Sequence, residues 1–427
     1  MFNDISRRQL LRAGASLGAA GAMGALACPA VAQGTSLTFA TWGNPGEEAA
    51  FRHIIEAYKA VEPGVTVNLE IVPGDQQYQR LDTRLAGRQA PDLVRIQYQQ
   101  IGRYAVASSM LDLGPMLKPG YMDDFADVHR SALTFGGKQF AMPFDNNTLA
   151  IYYDKEAMAA IGEVPPTTID KAWTWADLER IAAAIVDKKA APYPMAVTWA
   201  GAQAYRWLIF LYQHGGALLT EDLTAPAINS KEGIETIAWT ASWFKKGWVP
   251  ANTSIKSSEN VENLFANGGV ALAFAGQWTL SYIDDLRKKP WGVTFMCRDK
   301  QHATDLGADC IAVTRDAKTP QAAADFLQFM AGKENLAYYD VNAGALPTRK
   351  SLQEPGALSY SKYTDSYALY VEQSKYQRAD LVQTVTLPKF ARMNSKLGDE
   401  LELAFASGQS AEDTAANIAN AVQDILG

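Results

Sequence analysis

The sequence has little of what several large functional classes require. Only four histidines occur in 427 residues (His53, His129, His214 and His302), far apart and with no H-E-x-x-H or paired ligand spacing. That leaves no histidine-built metal site written in the chain. No G-x-x-x-x-G-K-[ST] loop is present, which removes the phosphate-cradling signature of nucleotide hydrolysis. Basic residues number 39 against 46 acidic ones, with no arginine-rich run, so nucleic acid is disfavoured as a partner. Beyond residue 33 no apolar stretch reaches the roughly 20 residues that a membrane-spanning helix needs. Cysteine is scarce: Cys28, Cys297 and Cys310. What remains is 48% hydrophobic and 20% charged, the composition of a folded globular chain, and its length implies at least two domains.

Residues 1–32 follow a different grammar. Ser6-Arg7-Arg8-Gln9-Leu10-Leu11 is a charged head, residues 13–27 are uncharged and rich in glycine and alanine, and Ala30-Val31-Ala32 is a small-x-small end. This is the pattern of a cleaved export signal, and the paired arginines ahead of two leucines resemble the twin-arginine type. A lipid anchor at Cys28 is the weaker alternative. The G-x-S-x-G match at residues 14–18 lies inside this signal, without the strand–turn–helix context of a nucleophile elbow, and is not a catalytic serine. Cleavage before Gln33 makes the exported chain more acidic still, and leaves Cys297 and Cys310 either as a disulfide or as two buried thiols.

The exported part alternates strand and helix patterns. Leu37–Trp42 is a short apolar strand run ending in Gly43-Asn44-Pro45-Gly46. A helix with Phe51, Ile54, Ile55 and Tyr58 on one face follows. Val65, Val67, Leu69 and Ile71 alternate as a second strand, and 92–97 (DLVRIQ) reads as a third. This spacing predicts βαβ units and a mostly parallel sheet. Strand patterns recur at 148–153, 267–276, 292–296 and 307–313. Thr174 and Asp177 form a predicted capping box, and the chain beyond residue 351 reads as mainly helical.

The order of these pieces resembles the sugar-binding group of extracellular solute-binding proteins that serve bacterial ABC importers, the group of maltose-binding protein. The resemblance covers nearly all of the exported chain. It is carried by APDLVRIQYQQIGRYA (90–105), GKQFAMPFDNNTLAIYYDKEAM (137–158), TWADL (174–178), FANGGVALAFAGQW (265–278), GADCIAVTRDAKTPQAAADFLQFM (307–330) and ALPTRKS (345–351). It implies a two-lobe α/β fold of the periplasmic-binding-protein type, with a ligand cleft between lobes and several interlobe crossovers. On that pattern lobe one holds 33–147 and 306–350, and lobe two holds 148–305 and the helical 351–427. It further implies a periplasmic, monomeric protein with no cofactor and no catalysis. Such a protein would close on a carbohydrate-like solute and dock on permease subunits in the inner membrane.

Candidate ligand residues lie just past strand ends. In the family the glycine-x-tryptophan after the apolar strand faces the cleft, so Gly276 and Trp278 are expected to present an indole to the C–H-rich face of a sugar. Trp42 and Asn44 follow the first strand, and Tyr98 and Gln99 the third. At Gln99 the family often has an acid, and the amide here suits neutral hydroxyls. Asp145 and Asn147 sit where the chain passes between lobes, with hinge capping as the alternative role. Trp199 and Gly201 precede a helix, and Asp309 and Arg349 complete the set. An Arg349 facing the cleft would favour an anionic sugar derivative, a phosphate or sulfonate, through its bidentate fork. A secreted glycoside-acting enzyme is the rival class, because the separation of two carboxylates is a property of the fold.

Overall fold

The structure, a computed structural model, describes residues 34–74, 76–305 and 307–427; the expected export signal and Cys28 lie outside them. The strands are β1 (Thr35–Thr41), β2 (Val65–Ile71), β3 (Leu93–Gln97), β4 (Thr134–Phe135), β5 (Lys138–Gln139), β6 (Met142–Asp145), β7 (Leu149–Asp154), β8 (Tyr193–Val197), β9 (Val270–Gly276), β10 (Trp291–Thr294) and β11 (Asp309–Val313). One sheet has the order β2-β1-β3-β11-β6 and the other β10-β7-β9-β8, with β4 and β5 forming a small hairpin. Each large sheet is the centre of one lobe. The chain leaves the first sheet after Asp145, builds the second from Leu149 to Thr294, and returns at Asp309.

The expected mostly parallel sheet is corrected to two mixed ones. β1 runs parallel to β2 and β3, as βαβ connections require, and β8 runs parallel to β9. β11 is antiparallel to both β3 and β6, and β7 is antiparallel to β9 and β10. These are the strands next to the crossovers. They enter their sheets from the other lobe and not from a covering helix, so the parallel rule does not bind them.

Side-chain alternation divides the core by sheet face. Leu93, Ile311 and Val313 face one cluster with Phe39, Phe51 and Phe326, while Val94, Ile96, Cys310 and Ala312 face another with Tyr98 and Ile101. In the second sheet Leu149, Ile151, Leu272 and Phe274 join the largest cluster, which also holds Trp199, Trp207 and Trp243. The C-terminal helices Phe390–Ala406 and Ala411–Leu426 contribute Leu397, Leu401, Ile418 and Val422 to that same cluster. Cys297 and Cys310 are both free and buried, in different clusters, so the structure holds the two thiols and not the disulfide.

Three helices place the first sheet's site residues: α1 (Pro45–Val61), α2 (Gln77–Ala86) and α3 (Tyr98–Val106). Helix α1 starts at a full capping box. The Asn44 side chain accepts from the Gly46 and Glu47 amides, and the Glu47 carboxylate accepts from the Asn44 amide. The crossover segments lie side by side. Asn146 and Leu346 exchange backbone hydrogen bonds at 3.1 and 3.2 Å, and the Gly307 amide donates to Asn147 O at 3.1 Å. The Gln377 side-chain amide ties them, donating to Asn146 Oδ1, Asn147 O and Asp305 O.

Candidate functional site

A cleft of about 980 Å³ is lined from both sheets. From the first come Trp42 and Asn44 after β1, Gln97, Gln99 and Gln100 around the end of β3, Asp145 at the end of β6 with Asn147 beyond it, and Asp309 at the start of β11. From the second come Thr198 and Ala200 after β8 and Trp278 after β9, with Gln203, Tyr205 and Arg206 from the short 3-10 helix Gly201–Trp207. This is the position ligands take in open α/β sheets, beyond the carboxyl ends of parallel strands. A second cavity of about 1180 Å³ follows the edge strand β10, and no residue expected at the site lines it.

At the cleft floor a charged knot replaces apolar packing. Arg95, in the middle of β3, is 2% exposed. Its Nη1 lies 2.9 Å from Glu47 Oε1, and its Nη2 lies 2.6 Å from Asp145 Oδ2 and 2.7 Å from Asp309 Oδ2. Burial opposes the guanidinium charge, but Glu47, Tyr339, Asp309 and Asp145 outweigh it and hold Arg95 protonated. Burial also pushes the carboxyls of Asp145 and Asp309 above the usual range, against the pull of Arg95. Asp309 Oδ1 and Gln99 Oε1 are buried with no hydrogen-bond partner among the described residues, and both residues line the cleft.

Two half-exposed indoles face this cavity, one from each lobe, and each is backed by an arginine. The Arg95 Cζ lies 4.7 Å from the Trp42 ring centre, and the Arg206 Cζ lies 5.0 Å from that of Trp278. Arg206 is itself held by Asp305, Nε to Oδ2 at 3.1 Å. Gly276 is required for space and not for its backbone conformation. Its φ of −95° is open to any residue, but a Cβ there would stand 1.7 Å from Trp278 Cζ3. The indole lies flat across the glycine, which makes room for it.

The structure therefore brings together seven of the expected residues: Trp42, Asn44, Gln99, Asp145, Asn147, Trp278 and Asp309. Asn44 spends its side-chain oxygen on the cap of α1, and Asn147 donates from Nδ2 to Asp145 Oδ1 and Gly307 O at 3.3 and 3.2 Å. Three expectations are corrected. Tyr98 is fully buried, with its hydroxyl 3.2 Å from His129 Nδ1, because the first residue of α3 turns back beneath the sheet. Trp199 is 1% exposed, donates from Nε1 to Thr253 O and stacks near Trp243; it is core. Arg349 does not reach the cleft: it donates from Nε and Nη2 to Ala331 O, pairs with Asp124 at 3.3 Å and lies over Phe125. Gly201 opens the 3-10 helix.

Arg95, Glu47, Tyr78, Arg206 and Glu262 line the cleft without having been expected there. For Arg95 the signal was a lone charge inside the apolar strand DLVRIQ, since a buried arginine demands partners. The others carry no local mark, as their neighbours read equally well as solvated helix faces.

The profile of the bacterial extracellular solute-binding proteins matches residues 53–366. A maltodextrin-binding protein of Bacillus subtilis is 22% identical over 384 residues, covering 87% of this chain and 86% of its own. An sn-glycerol-3-phosphate-binding periplasmic protein of Escherichia coli (strain K12) is 28% identical over 231 residues, 50% of each chain. Among solved structures, the cyclic alpha-maltosyl-1,6-maltose binding protein of Arthrobacter globiformis matches with a TM-score of 0.79 at 22% identity. That match covers 92% of this chain and 99% of that one.

Proposed function

The chain belongs to the bacterial extracellular solute-binding proteins, and from that premise we propose that it captures a neutral carbohydrate or polyol for an ABC importer. The observation that carries the reading is the pair of arginine-backed indoles, Trp42 and Trp278, brought from two lobes to one cavity among amides and carboxylates. An indole offers a flat apolar partner to the C–H face of a pyranose, and carboxylates and amides take its hydroxyls. The lobes, 33–147 with 306–350 and 148–305 with 351–427, close on the ligand about the crossovers tied by Gln377. The closed form then docks on the permease. Export by the twin-arginine route to the periplasm and action as a monomer belong to the same reading.

Two alternatives fare worse. An anionic sugar derivative has a relative in its favour, the glycerol-3-phosphate-binding protein of Escherichia coli. Yet Arg349 is engaged elsewhere, and both cleft arginines are already held by carboxylates. Among the described residues five carboxylates line the cleft (Glu47, Asp145, Asp309, Glu259 and Glu262) against two arginines, a field that repels anions. We also infer that the protein binds without turnover. Asp145 and Asp309 bond to the same guanidinium nitrogen, which draws them together instead of setting them on either side of a glycosidic bond.

Calorimetric titration of the exported chain with maltooligosaccharides, trehalose, polyols and sugar phosphates tests the reading. Binding of a neutral member, lost roughly ten- to a hundredfold in Trp278→Ala with the fold intact, is the expected result. Binding confined to sugar phosphates, or affinity unchanged in Trp278→Ala, refutes it.

A further inference from the structure

Among the carboxylates of the cleft, Glu47, Asp145 and Asp309 share Arg95. Glu262 has no such partner. It is the second residue of the short helix Val261–Ala266 and lines the second lobe's wall, yet it is only 7% exposed. Its one hydrogen bond among the described residues comes from the Thr198 hydroxyl, at 3.3 Å to Oε1. Arg206, on the same wall, feels its field but makes no ion pair with it. Glu259 is more exposed and has an amide partner in Asn252 at 2.8 Å, so water and protein serve it together.

An ionised carboxylate accepts at about four lone-pair sites, and burying one with a single long hydrogen bond is costly. Its remaining lone pairs open on the cleft, where a ligand's hydroxyls can donate in place of water. Trp278 lies on the same wall. A pyranose stacked on that ring points its C–H face at the indole and its equatorial hydroxyls outward around the rim. There a carboxylate can accept two neighbouring hydroxyls at once, through short charge-assisted bonds.

We propose that Glu262 is a specificity-determining ligand residue, accepting two adjacent hydroxyls of the sugar ring stacked on Trp278. The inference rests on the carbohydrate reading above and adds a selection rule: ligands with both hydroxyls free are taken, and those deoxygenated or substituted there are refused.

Calorimetric titration of the wild-type exported chain, Glu262→Gln and Glu262→Asp tests it, with maltotriose, maltotetraose and trehalose as probes. Monodeoxy derivatives of whichever binds complete the set. Glu262→Gln should bind about 10- to 100-fold more weakly, with the ligand-free melting temperature unchanged. Wild type should lose affinity for the derivative lacking one of the two hydroxyls, whereas Glu262→Gln should lose little more, so the two losses do not add. Glu262→Asp, which keeps the charge but shortens the reach, should also lose affinity, which a purely structural charge would not require. Equal affinity in Glu262→Gln, or losses that simply add, overturns the role of Glu262 alone. Failure of the wild type to bind any probe overturns the carbohydrate reading, and the inference with it.

Discussion

Replacing Arg95 with methionine should be among the most damaging single changes in the first lobe, and its cost should depend on pH in a definite direction. The substitution keeps an apolar stem in β3 but removes the guanidinium that stands 2.9, 2.6 and 2.7 Å from Glu47, Asp145 and Asp309. With the Asp145 side chain 3% and the Asp309 side chain 5% exposed, little water can replace it. Breaking a buried ion pair from one side costs about 3–5 kcal/mol, a large fraction of the 5–15 kcal/mol that holds a typical domain folded. The carboxyls of Asp145 and Asp309 are raised by burial even with Arg95 present, and without it they are raised further. The folded variant then holds protons that the unfolded chain has released. Stability therefore falls as pH rises from the ordinary carboxylate range, near 4, toward neutrality, by about 1.4 kcal/mol per pH unit for each extra proton held. Urea unfolding of Arg95→Met and wild type at pH 5.0 and 7.5 reads this directly, with the larger deficit at 7.5. A deficit under about 1 kcal/mol, or one equal at both pH values, would refute the buried-knot account.

Three further outcomes are expected. Gly276→Ala puts a Cβ 1.7 Å from Trp278 Cζ3, so it should displace the indole, abolish ligand binding and cost about 1–3 kcal/mol. In a Trp278→Ala background the same change should cost little, and equal melting-temperature losses in both backgrounds would show that the clash is relieved some other way. Burial pushes His129 down to about 3, so the folded chain keeps it neutral while the unfolded chain protonates below about pH 6.5. Its contribution to stability should fall by about 1.4 kcal/mol per unit as pH drops from there toward 3, opposite in sign to the acidic knot, and His129→Phe should remove that slope from urea midpoints. Arg349→Ala should lower stability by about 2 kcal/mol or more, since it leaves Ala331 O without its donor and takes the cation from Asp124, which keeps only its Ser351 hydrogen bonds, with ligand affinity unchanged; a selective loss of affinity would return Arg349 to the site.

The strands were legible because their apolar residues repeat at period two and stop at glycine, asparagine or proline, and the cleft was legible because ligands gather past those stops. Position along the chain is all that such a rule supplies. Tyr98 and Gln99 are neighbours at one strand end, yet Tyr98 turns into the core beside His129 while Gln99 lines the cleft. Trp199 follows a strand as Trp278 does. It enters the core because Thr253 O and the stacked Trp243 receive it, whereas the Gly276 backbone leaves Trp278 a shelf at the cavity. The choices at Tyr98 and Trp199 depend on partners 31 and 54 positions away, which no local pattern carries. Glu47 shows the same limit in charge: as an acid in the first turn of α1 it reads as a helix-dipole partner, and it does complete the capping box, but its other oxygen is bound to Arg95.

The arginines decide how the cleft's charge should be understood. A cavity that contains two guanidinium groups invites an anion, and one of its relatives binds a phosphate ester. Arg95 is saturated by three carboxylates, however, and Arg206 is held by Asp305. Each lies close to an indole, its Cζ 4.7 Å from the Trp42 ring centre and 5.0 Å from that of Trp278, and so helps fix an aromatic ring at the cavity wall. At Arg95 an anion would have to displace a carboxylate from a buried arginine, at a cost comparable to breaking that ion pair. A neutral ring needs no such exchange: it adds stacking and hydroxyl donors to groups that already stand in place. On the carbohydrate reading proposed above, the two guanidinium groups serve to hold two indoles at the cavity wall for an uncharged ligand.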